Sequence, residues 1–235
     1  MLTMKTHAPS LLISKFSKDA DDIPYLDLYN DKTAEIVRKV FEFYTDKSAV
    51  FHNENITPPS GYSTYEYGNE MFKANRVLFR TTNFFRITQC RSMENDFGIL
   101  PMPKFDESQA EYYHPMSYSS PAICIPYTAE NPEINGAVIE ALSYYGRTIM
   151  LPAYYDRLLM GIVSRDEESK FCLDIIFDSV NFDLGTIYNF GGLRECFTQI
   201  ISSGANMFAS YYEKNEAKAK KELDNYINSY KDYIN

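Results

Sequence analysis

The sequence has no tryptophan, no long apolar run and no excess of basic residues. Its 235 residues include 23 Lys and Arg against 32 Asp and Glu, which gives a formal net charge of −9. No stretch approaches the roughly 18 consecutive apolar residues that a membrane-spanning helix needs. Nucleic-acid binding requires clustered basic side chains, and here they are interspersed with a larger number of acids. The composition therefore argues against both a membrane-spanning protein and a nucleic-acid binder.

Cysteine and histidine are also scarce, and their spacing predicts no metal site. The four cysteines are Cys90, Cys124, Cys172 and Cys196, and the three histidines are His7, His52 and His114. No two cysteines stand at the C-x-x-C spacing that is typical of zinc ligands, and the histidines are far apart. Cys124 and Cys172 lie in apolar runs, so we expect both thiols to be buried as small hydrophobic side chains.

Motifs of catalysis are lacking as well. The chain has no G-x-S-x-G, no H-E-x-x-H and no glycine-rich phosphate loop. The acids Asp166, Glu167 and Glu168 could in principle act as acid and base. They stand in the first turn of a predicted helix, where the helix dipole favours carboxylates, and this structural interpretation is preferred. The sequence therefore predicts that the chain is not an enzyme and needs no cofactor.

Aromatic residues are abundant instead. There are 20 Tyr and 16 Phe, and 45% of all residues are hydrophobic, which suffices for a sizeable core. A tyrosine combines an apolar ring with a polar tip, so it suits a half-buried cleft where a ligand is both stacked and hydrogen-bonded. For any single tyrosine, packing at the edge of the core is the simpler explanation.

Helix signals recur along the chain. Ser63 and Glu66 have the spacing of a capping box, and Asn131-Pro132 combines an N-cap residue with proline at the first helical position. The apolar stripe of the helix after Pro132 consists of Ile134, Val138, Leu142 and Tyr145. The last 24 residues are amphipathic, which predicts a terminal helix whose inward stripe consists of Leu223, Ile227, Tyr230 and Ile234.

Strand signals are fewer and shorter. Residues 97–100 and residues 122–126 are apolar runs, each followed by or ending in proline, and both are predicted strands. A break at Gly191-Gly192 precedes one more predicted helix. The pattern as a whole predicts an α/β fold that is rich in helices.

Several segments of the chain are similar, in the same order, to the motifs of one known protein family. MFKANRVLF at residues 71–79 is similar to that family's F-x-x-G-x-x-L-F step, with Asn75 in place of glycine. ENDFGILPMPKFDE at 94–107 is similar to its D-F-G-I-L-P-x-P-K-x-D-E signature. Further similarities follow in the expected order, at AICIP (122–126), LPAYYD (151–156), SRDEES (164–169), FDLG (182–185) and FASYYEKN (208–215). This order of segments resembles family 1 extracellular solute-binding proteins, the binding components of ABC importers.

The resemblance implies a fold of the type II periplasmic-binding-protein kind. Such proteins have two α/β lobes that close on a ligand, and closure promotes docking on a membrane permease. The resemblance divides the chain into three segments. Residues 1–96 would belong to the second lobe, and residues 97–148 would cross the hinge and add a strand and a helix to the first lobe. Residues 149–235 would then return to the second lobe. A first lobe formed by so few residues would leave apolar surface exposed.

The resemblance also implies where the ligand would lie. Three groups of residues occupy the corresponding positions: Thr81, Thr82 and Asn83; Ser117, Tyr118 and Ser119; Tyr188, Asn189 and Phe190. Aromatic rings can stack on the apolar face of a sugar, and Asn, Ser and Tyr can satisfy its hydroxyls. The alternative for Phe190 is that it packs beneath the Gly191-Gly192 turn.

The expected function is therefore capture of a solute, most simply an oligosaccharide, for a permease. Full-length members of the family are extracellular lipoproteins, whereas the first residues of this chain lack the pattern of an export signal. The alternative is a truncated, ligand-incompetent fragment that acts as an interaction module.

Overall fold

The computed structural model describes residues 2–4, 15–52, 57–118, 120–158 and 167–234. It is a mixed α/β structure in which helices predominate over short strands, in agreement with the predicted α/β class. The strands are β1 (Leu2–Met4), β2 (Phe16–Lys18), β3 (Pro24–Leu26), β4 (Val50–His52), β5 (Phe79–Arg80), β6 (His114–Pro115) and β7 (Val180–Asn181).

The helices differ widely in length, from four to 27 residues. The α-helices are α1 (Asp31–Thr45), α2 (Thr64–Lys73), α3 (Phe84–Ile87), α4 (Pro132–Tyr145), α5 (Leu151–Leu158), α6 (Glu167–Asp178), α7 (Leu184–Tyr188), α8 (Cys196–Ser203) and α9 (Phe208–Ile234). Two 3₁₀ segments cover Thr88–Ser92 and Phe190–Glu195, and a π-helical turn at Gly146–Met150 joins α4 to α5.

The strands form three small sheets. The largest has the order β4-β1-β5 with parallel pairing, and Leu2 is in register with both Val50 and Phe79. β2 and β3 form an antiparallel pair, whereas β6 and β7 pair in parallel and so join two parts of the chain distant in sequence.

The main core lies between α1, α8, α9 and the 3₁₀ segment before α8. Its buried side chains include Leu28, Val37, Leu193, Phe197 and Ile200. A second, smaller core joins α3 to α6 through Ile87, Ile99, Leu173 and Ile176. Burial of this apolar surface is the main force that holds these helices together.

A buried ion pair connects the N-terminal part of the chain to α7. Lys15 Nζ lies 3.1 Å from Asp183 Oδ2, and it also donates to Thr186 Oγ1 at 3.3 Å. Both side chains of the pair are almost fully buried. Because an isolated buried charge is costly, each member requires the other to stay in place. Asp183 is also the N-cap of α7, so the pair fixes the start of that helix.

Several local predictions are confirmed. Ser63 and Glu66 form the capping box of α2 with both reciprocal hydrogen bonds, and Asn131 caps α4 ahead of Pro132. The terminal helix α9 forms, and its Leu223 is buried. Among the described residues, no helix is both long and apolar enough to cross a bilayer.

The expected positions of the cysteines are wrong in part. Cys124 is exposed and Cys172 is only half-buried, whereas Cys90 and Cys196 are the buried thiols. Burial of Cys124 would require a neighbouring strand or helix on each side of residues 122–126. On α6, the inward positions are taken by Leu173 and Ile176, which places Cys172 at the edge of the core.

The two predicted strands are also absent from this structure. Residues 97–100 are irregular, although Ile99 is buried and its N–H donates to Ser169 Oγ at 3.4 Å. Residues 122–126 are irregular too, and all five are exposed. An apolar run becomes a strand only when another strand satisfies its backbone groups, and the described residues supply no such partner here.

The helix after Pro132 forms, but its apolar stripe does not face a core. Ile134, Val138, Leu142 and Tyr145 are each more than half exposed, and α4 has no buried residue. The following helix, α5, contacts α6: the ring of Tyr155 in α5 packs on the ring of Phe177 in α6, with 5.5 Å between the ring centroids. Residues 121–157 thus carry many exposed apolar side chains, among them Ile123, Leu142 and Met150.

Candidate functional site

The turn that ends α7 is built from three left-handed residues. Asn189 has φ 52°, and Gly191 and Gly192 have φ 62° and 78°. Asparagine and glycine are the residues that adopt this conformation most readily. The Asn189 side chain stabilises the turn, since its Oδ1 accepts the Arg194 N–H at 2.9 Å. The sequence Asn-Phe-Gly-Gly therefore specifies a tight turn at this point.

Gly191 lets the turn approach the backbone of α9. A Cβ atom at this position would lie 2.7 Å from Ala219 Cβ and 2.9 Å from the Asn215 carbonyl oxygen. The Gly191 N–H donates to Glu222 Oε2 at 2.7 Å, and the Tyr211 hydroxyl donates to the Gly192 carbonyl at 3.0 Å. The turn is consequently fixed to α9 by close packing and by two hydrogen bonds.

The close packing of Gly191 on α9 can be tested by substituting alanine for glycine. Gly191→Ala is expected to lower the free energy of unfolding by about 3 kcal/mol, because it combines a strained φ with a clash against α9. Gly204→Ala is the matched control, since Gly204 has φ 68° but nothing within 4 Å of its added Cβ. The control should lose only about 1 kcal/mol in urea denaturation. Equal losses in the two variants would contradict the close contact.

Four aromatic rings surround the turn. Tyr188 stacks on Phe190 with a centroid distance of 5.6 Å and an interplanar angle of 9°. Tyr226 of α9 lies 4.4 Å from the Tyr188 ring, and Tyr230 follows at 4.8 Å from Tyr226. Phe190 is 5% exposed and belongs to the main core, whereas Tyr188 is 46% exposed. The surface thus presents tyrosine rings supported by a buried phenylalanine, and we call these four residues the aromatic cluster.

The hydroxyls of the aromatic cluster are linked. The Tyr226 hydroxyl donates to the Tyr188 hydroxyl at 3.1 Å. Burial, together with hydrogen bonds to Tyr188 and Tyr230, raises the pKa of Tyr226, whereas the hydrogen bond with Tyr226 lowers the pKa of Tyr230. A row of hydroxyls beside exposed rings can both donate to and accept from the hydroxyls of a ligand.

Two of the three predicted groups of site residues come together. Tyr118 lies against Arg194, whose guanidinium carbon is 4.1 Å from the centre of the Tyr118 ring, and Arg194 is bonded to Asn189. Ser117 precedes Tyr118 and is exposed, while Ser119 lies outside the described residues. The loop before residue 122 therefore reaches the turn that carries Tyr188.

The third group of predicted site residues, Thr81, Thr82 and Asn83, lies at the start of α3 rather than at the turn after α7. Asn83 is the N-cap of α3, where its Oδ1 accepts the Arg86 N–H at 3.2 Å. Thr82 is exposed, and Thr81 Oγ1 is buried with no hydrogen-bond partner among the described residues. The described contacts of α3 run to α6, through the stacked rings of Phe84 and Phe177. α3 therefore belongs to the second core, whereas Phe190 of the aromatic cluster belongs to the main core.

Three residues of the site were not predicted from the sequence as ligand contacts. Tyr230 was expected to face inward with the terminal stripe, yet it is half-exposed beside Tyr226. The spacing of Tyr226 and Tyr230 by four residues does indicate that they share one face of a helix. Nothing in the sequence connected Arg194 to Tyr118, because they are distant in sequence.

His114 joins the segment after residue 100 to the end of α6. The Met102 N–H donates to His114 Nε2 at 2.9 Å, so the proton of the neutral ring is on Nδ1, which donates to Ser179 Oγ at 2.6 Å. The Ser179 hydroxyl donates in turn to the Ile175 carbonyl. This chain of bonds requires a neutral imidazole, and burial lowers the pKa of His114 accordingly.

The His114 bonds predict a pH dependence of stability. Because the folded state has the lower pKa, it binds fewer protons, and the contribution of His114 is complete above the ordinary histidine pKa and is lost as the pH falls. His114→Gln can still accept from Met102 but does not titrate. We expect the free energy of unfolding to fall less between pH 8 and pH 5 in this variant than in the wild type. An equal fall in the free energy of unfolding in the variant and the wild type would contradict the hydrogen bonds assigned to His114.

Comparison with other proteins gives no family assignment. No protein-family model matches the chain, and no curated protein sequence matches it significantly. Within the described residues, no group of three or more Cys, His, Asp or Glu side chains could hold a metal ion. Any functional interpretation therefore depends on the geometry of the site and on the resemblance noted in the sequence.

Proposed function

We propose that the chain is the solute-binding component of an ABC importer, and that it holds a carbohydrate against the aromatic cluster. The observation that carries the proposal is the half-exposed Tyr188 ring, stacked on the buried Phe190 and bordered by the hydroxyls of Tyr226 and Tyr230. The resemblance of the segment order to family 1 solute-binding proteins supports the same function. In that case the partner is a membrane permease and the whole protein is extracellular and lipid-anchored.

The chemistry of the surface suits a sugar. A pyranose ring has an apolar face of C–H groups, which packs on an aromatic ring, and a rim of hydroxyls that need hydrogen bonds. Tyr188 supplies the ring, and the linked hydroxyls of Tyr226 and Tyr230 lie beside it. Because Phe190 fixes Tyr188 from below, the ring is held in place before a ligand arrives, which lowers the entropic cost of binding.

The exposed segment 121–157 is consistent with a two-lobed protein. A helix such as α4, which is apolar around much of its circumference, is typical of a position between other elements. In the proposed protein, further residues of the first lobe pack against α4 and pair with residues 122–126. The ligand then lies between that lobe and the aromatic cluster.

Ligand-induced stabilisation tests the proposal. A carbohydrate that binds only the folded state at 100 times its Kd is expected to add about 2.7 kcal/mol of stability, which raises the Tm by several degrees. The measurement is a thermal-shift screen of the chain against mono- and oligosaccharides. Tyr188→Leu should weaken the binding of any sugar found by about tenfold, through loss of the stacking ring.

Tyr127→Leu serves as the control for this substitution. Tyr127 is fully exposed and belongs to no described ring pair, so its loss should leave both the Tm and the affinity for the sugar unchanged. A folded chain whose Tm no sugar raises would contradict the proposal. Equal effects of the Tyr188 and Tyr127 variants would contradict the assignment of the aromatic cluster as the binding surface.

A second candidate function is favoured by the exposed stripe of α4. In this case the chain is an interaction module that associates with a second copy of itself. Consider an antiparallel pairing of two copies of α4, each continued by the π-helical turn. It would place Ile134 opposite Ile149 and Val138 opposite Tyr145, with Leu142 near the twofold axis. No charged residue interrupts this stripe, and its side chains at Ile134, Val138 and Leu142 are each more than half exposed. Exposed apolar faces of this kind mark protein interfaces.

The interaction module makes a separate prediction. Leu142→Glu would place a charge at the centre of the apolar stripe, so we expect it to turn a dimer into a monomer with unchanged helix content. Glu140→Gln, on the opposite face of α4, should leave the dimer intact. Light scattering after size-exclusion chromatography gives the mass. A wild-type chain that is monomeric at all concentrations would contradict this candidate.

A further inference from the structure

Arg194 connects the two groups of predicted site residues, yet its own role was not foreseen. Its backbone N–H donates to Asn189 Oδ1 at 2.9 Å, and its Nη1 donates to the Thr186 carbonyl at 3.2 Å. Its guanidinium lies over the Tyr118 ring, with 4.1 Å between the guanidinium carbon and the ring centroid. Arg194 thus contacts the turn after α7 through its main chain, and both α7 and the loop before residue 122 through its side chain.

The position of the guanidinium does not depend on Tyr118. Nε donates to Glu195 Oε1 at 3.0 Å, and the Arg194 side chain is only 21% exposed. With Nε and Nη1 both bonded, the planar group has a fixed orientation. The adjacent carboxylate of Glu195 also compensates its charge, so Arg194 is not left as a free cation that would select an anionic ligand.

Tyr118, in contrast, depends on Arg194. Tyr118 is 60% exposed, and the Arg194 guanidinium packs over its ring at 4.1 Å from the ring centroid. The backbone nearby is held at Met116, whose N–H donates to the Asn181 carbonyl at 2.8 Å. The Ser120 N–H also donates to the Ser117 carbonyl at 3.0 Å, which fixes the backbone on both sides of Tyr118. The cation–π contact acts on the ring itself and favours its position beside the turn.

We infer that Arg194 is a positioning residue, which holds the Tyr118 ring next to the turn at Asn189 so that Tyr118 and Tyr188 form one ligand surface. The inference deepens the proposed function and rests on it for the identity of the ligand as a sugar. Arg194 acts through Tyr118: the tyrosine ring contacts the ligand, and the arginine determines where that ring lies.

The positional part of the inference is tested without any ligand. Arg194→Met removes the guanidinium but keeps the backbone bond to Asn189, because that bond uses the main-chain N–H. We expect faster hydrogen–deuterium exchange in peptides that cover residues 117–120, while peptides of α1 and α9 stay unchanged. Arg194→Lys, which keeps a cation, should show an intermediate rate. Unchanged exchange at residues 117–120 in Arg194→Met would overturn the inference.

The functional part is tested with a double-mutant cycle on the sugar found in the thermal-shift screen. Arg194→Met is expected to weaken binding about fivefold in the wild-type background, and to have no further effect in Tyr118→Leu. Additive losses would overturn the action of Arg194 through Tyr118. Because the exchange experiment needs no ligand, it can support or overturn the positional inference even if no sugar binds and the proposed function fails.

Discussion

The contact of Gly191 with α9 is the constraint on which the rest of the site depends. The turn can lie against the helix backbone only because position 191 has no side chain, and Glu222 then accepts its N–H. This contact sets Phe190 into the main core and leaves Tyr188 at the surface directly above it. It also brings Tyr226 beside Tyr188. A larger residue at the turn would separate these rings.

The sequence predicted the local features of this arrangement better than the distant ones. Capping boxes and N-caps form between residues three apart, so their pattern is visible in the chain, as at Ser63 and Glu66. The break at the two glycines was predicted for the same reason. The pairing of Tyr188 with Tyr226 was not, because it joins residues 38 apart that meet only after α9 has packed on the turn. The contact of Tyr118 with Arg194 is of the same distant kind.

The wrong expectations for residues 122–126 and for α4 have one physical origin. Residues 122–126 and the stripe of α4 have the hydrophobicity of buried elements, and the sequence pattern was interpreted as if their partners were present. A strand needs a neighbouring strand and an apolar stripe needs an opposing surface. The described residues provide neither, so Cys124 and Val138 are exposed. The same exposure underlies both candidate functions, since a first lobe or a second copy of the chain would cover it.

The central claim is that the rings of Tyr118 and Tyr188 hold the solute, and NMR of the chain with ¹³C-labelled tyrosine rings tests it most directly. On titration with a sugar that raises the Tm, the resonances of Tyr118, Tyr188 and Tyr226 are predicted to shift together, with one common dissociation constant. The resonance of Tyr127 should not move. Shifts confined to Tyr144 and Tyr154, on the exposed segment 121–157, would contradict the account.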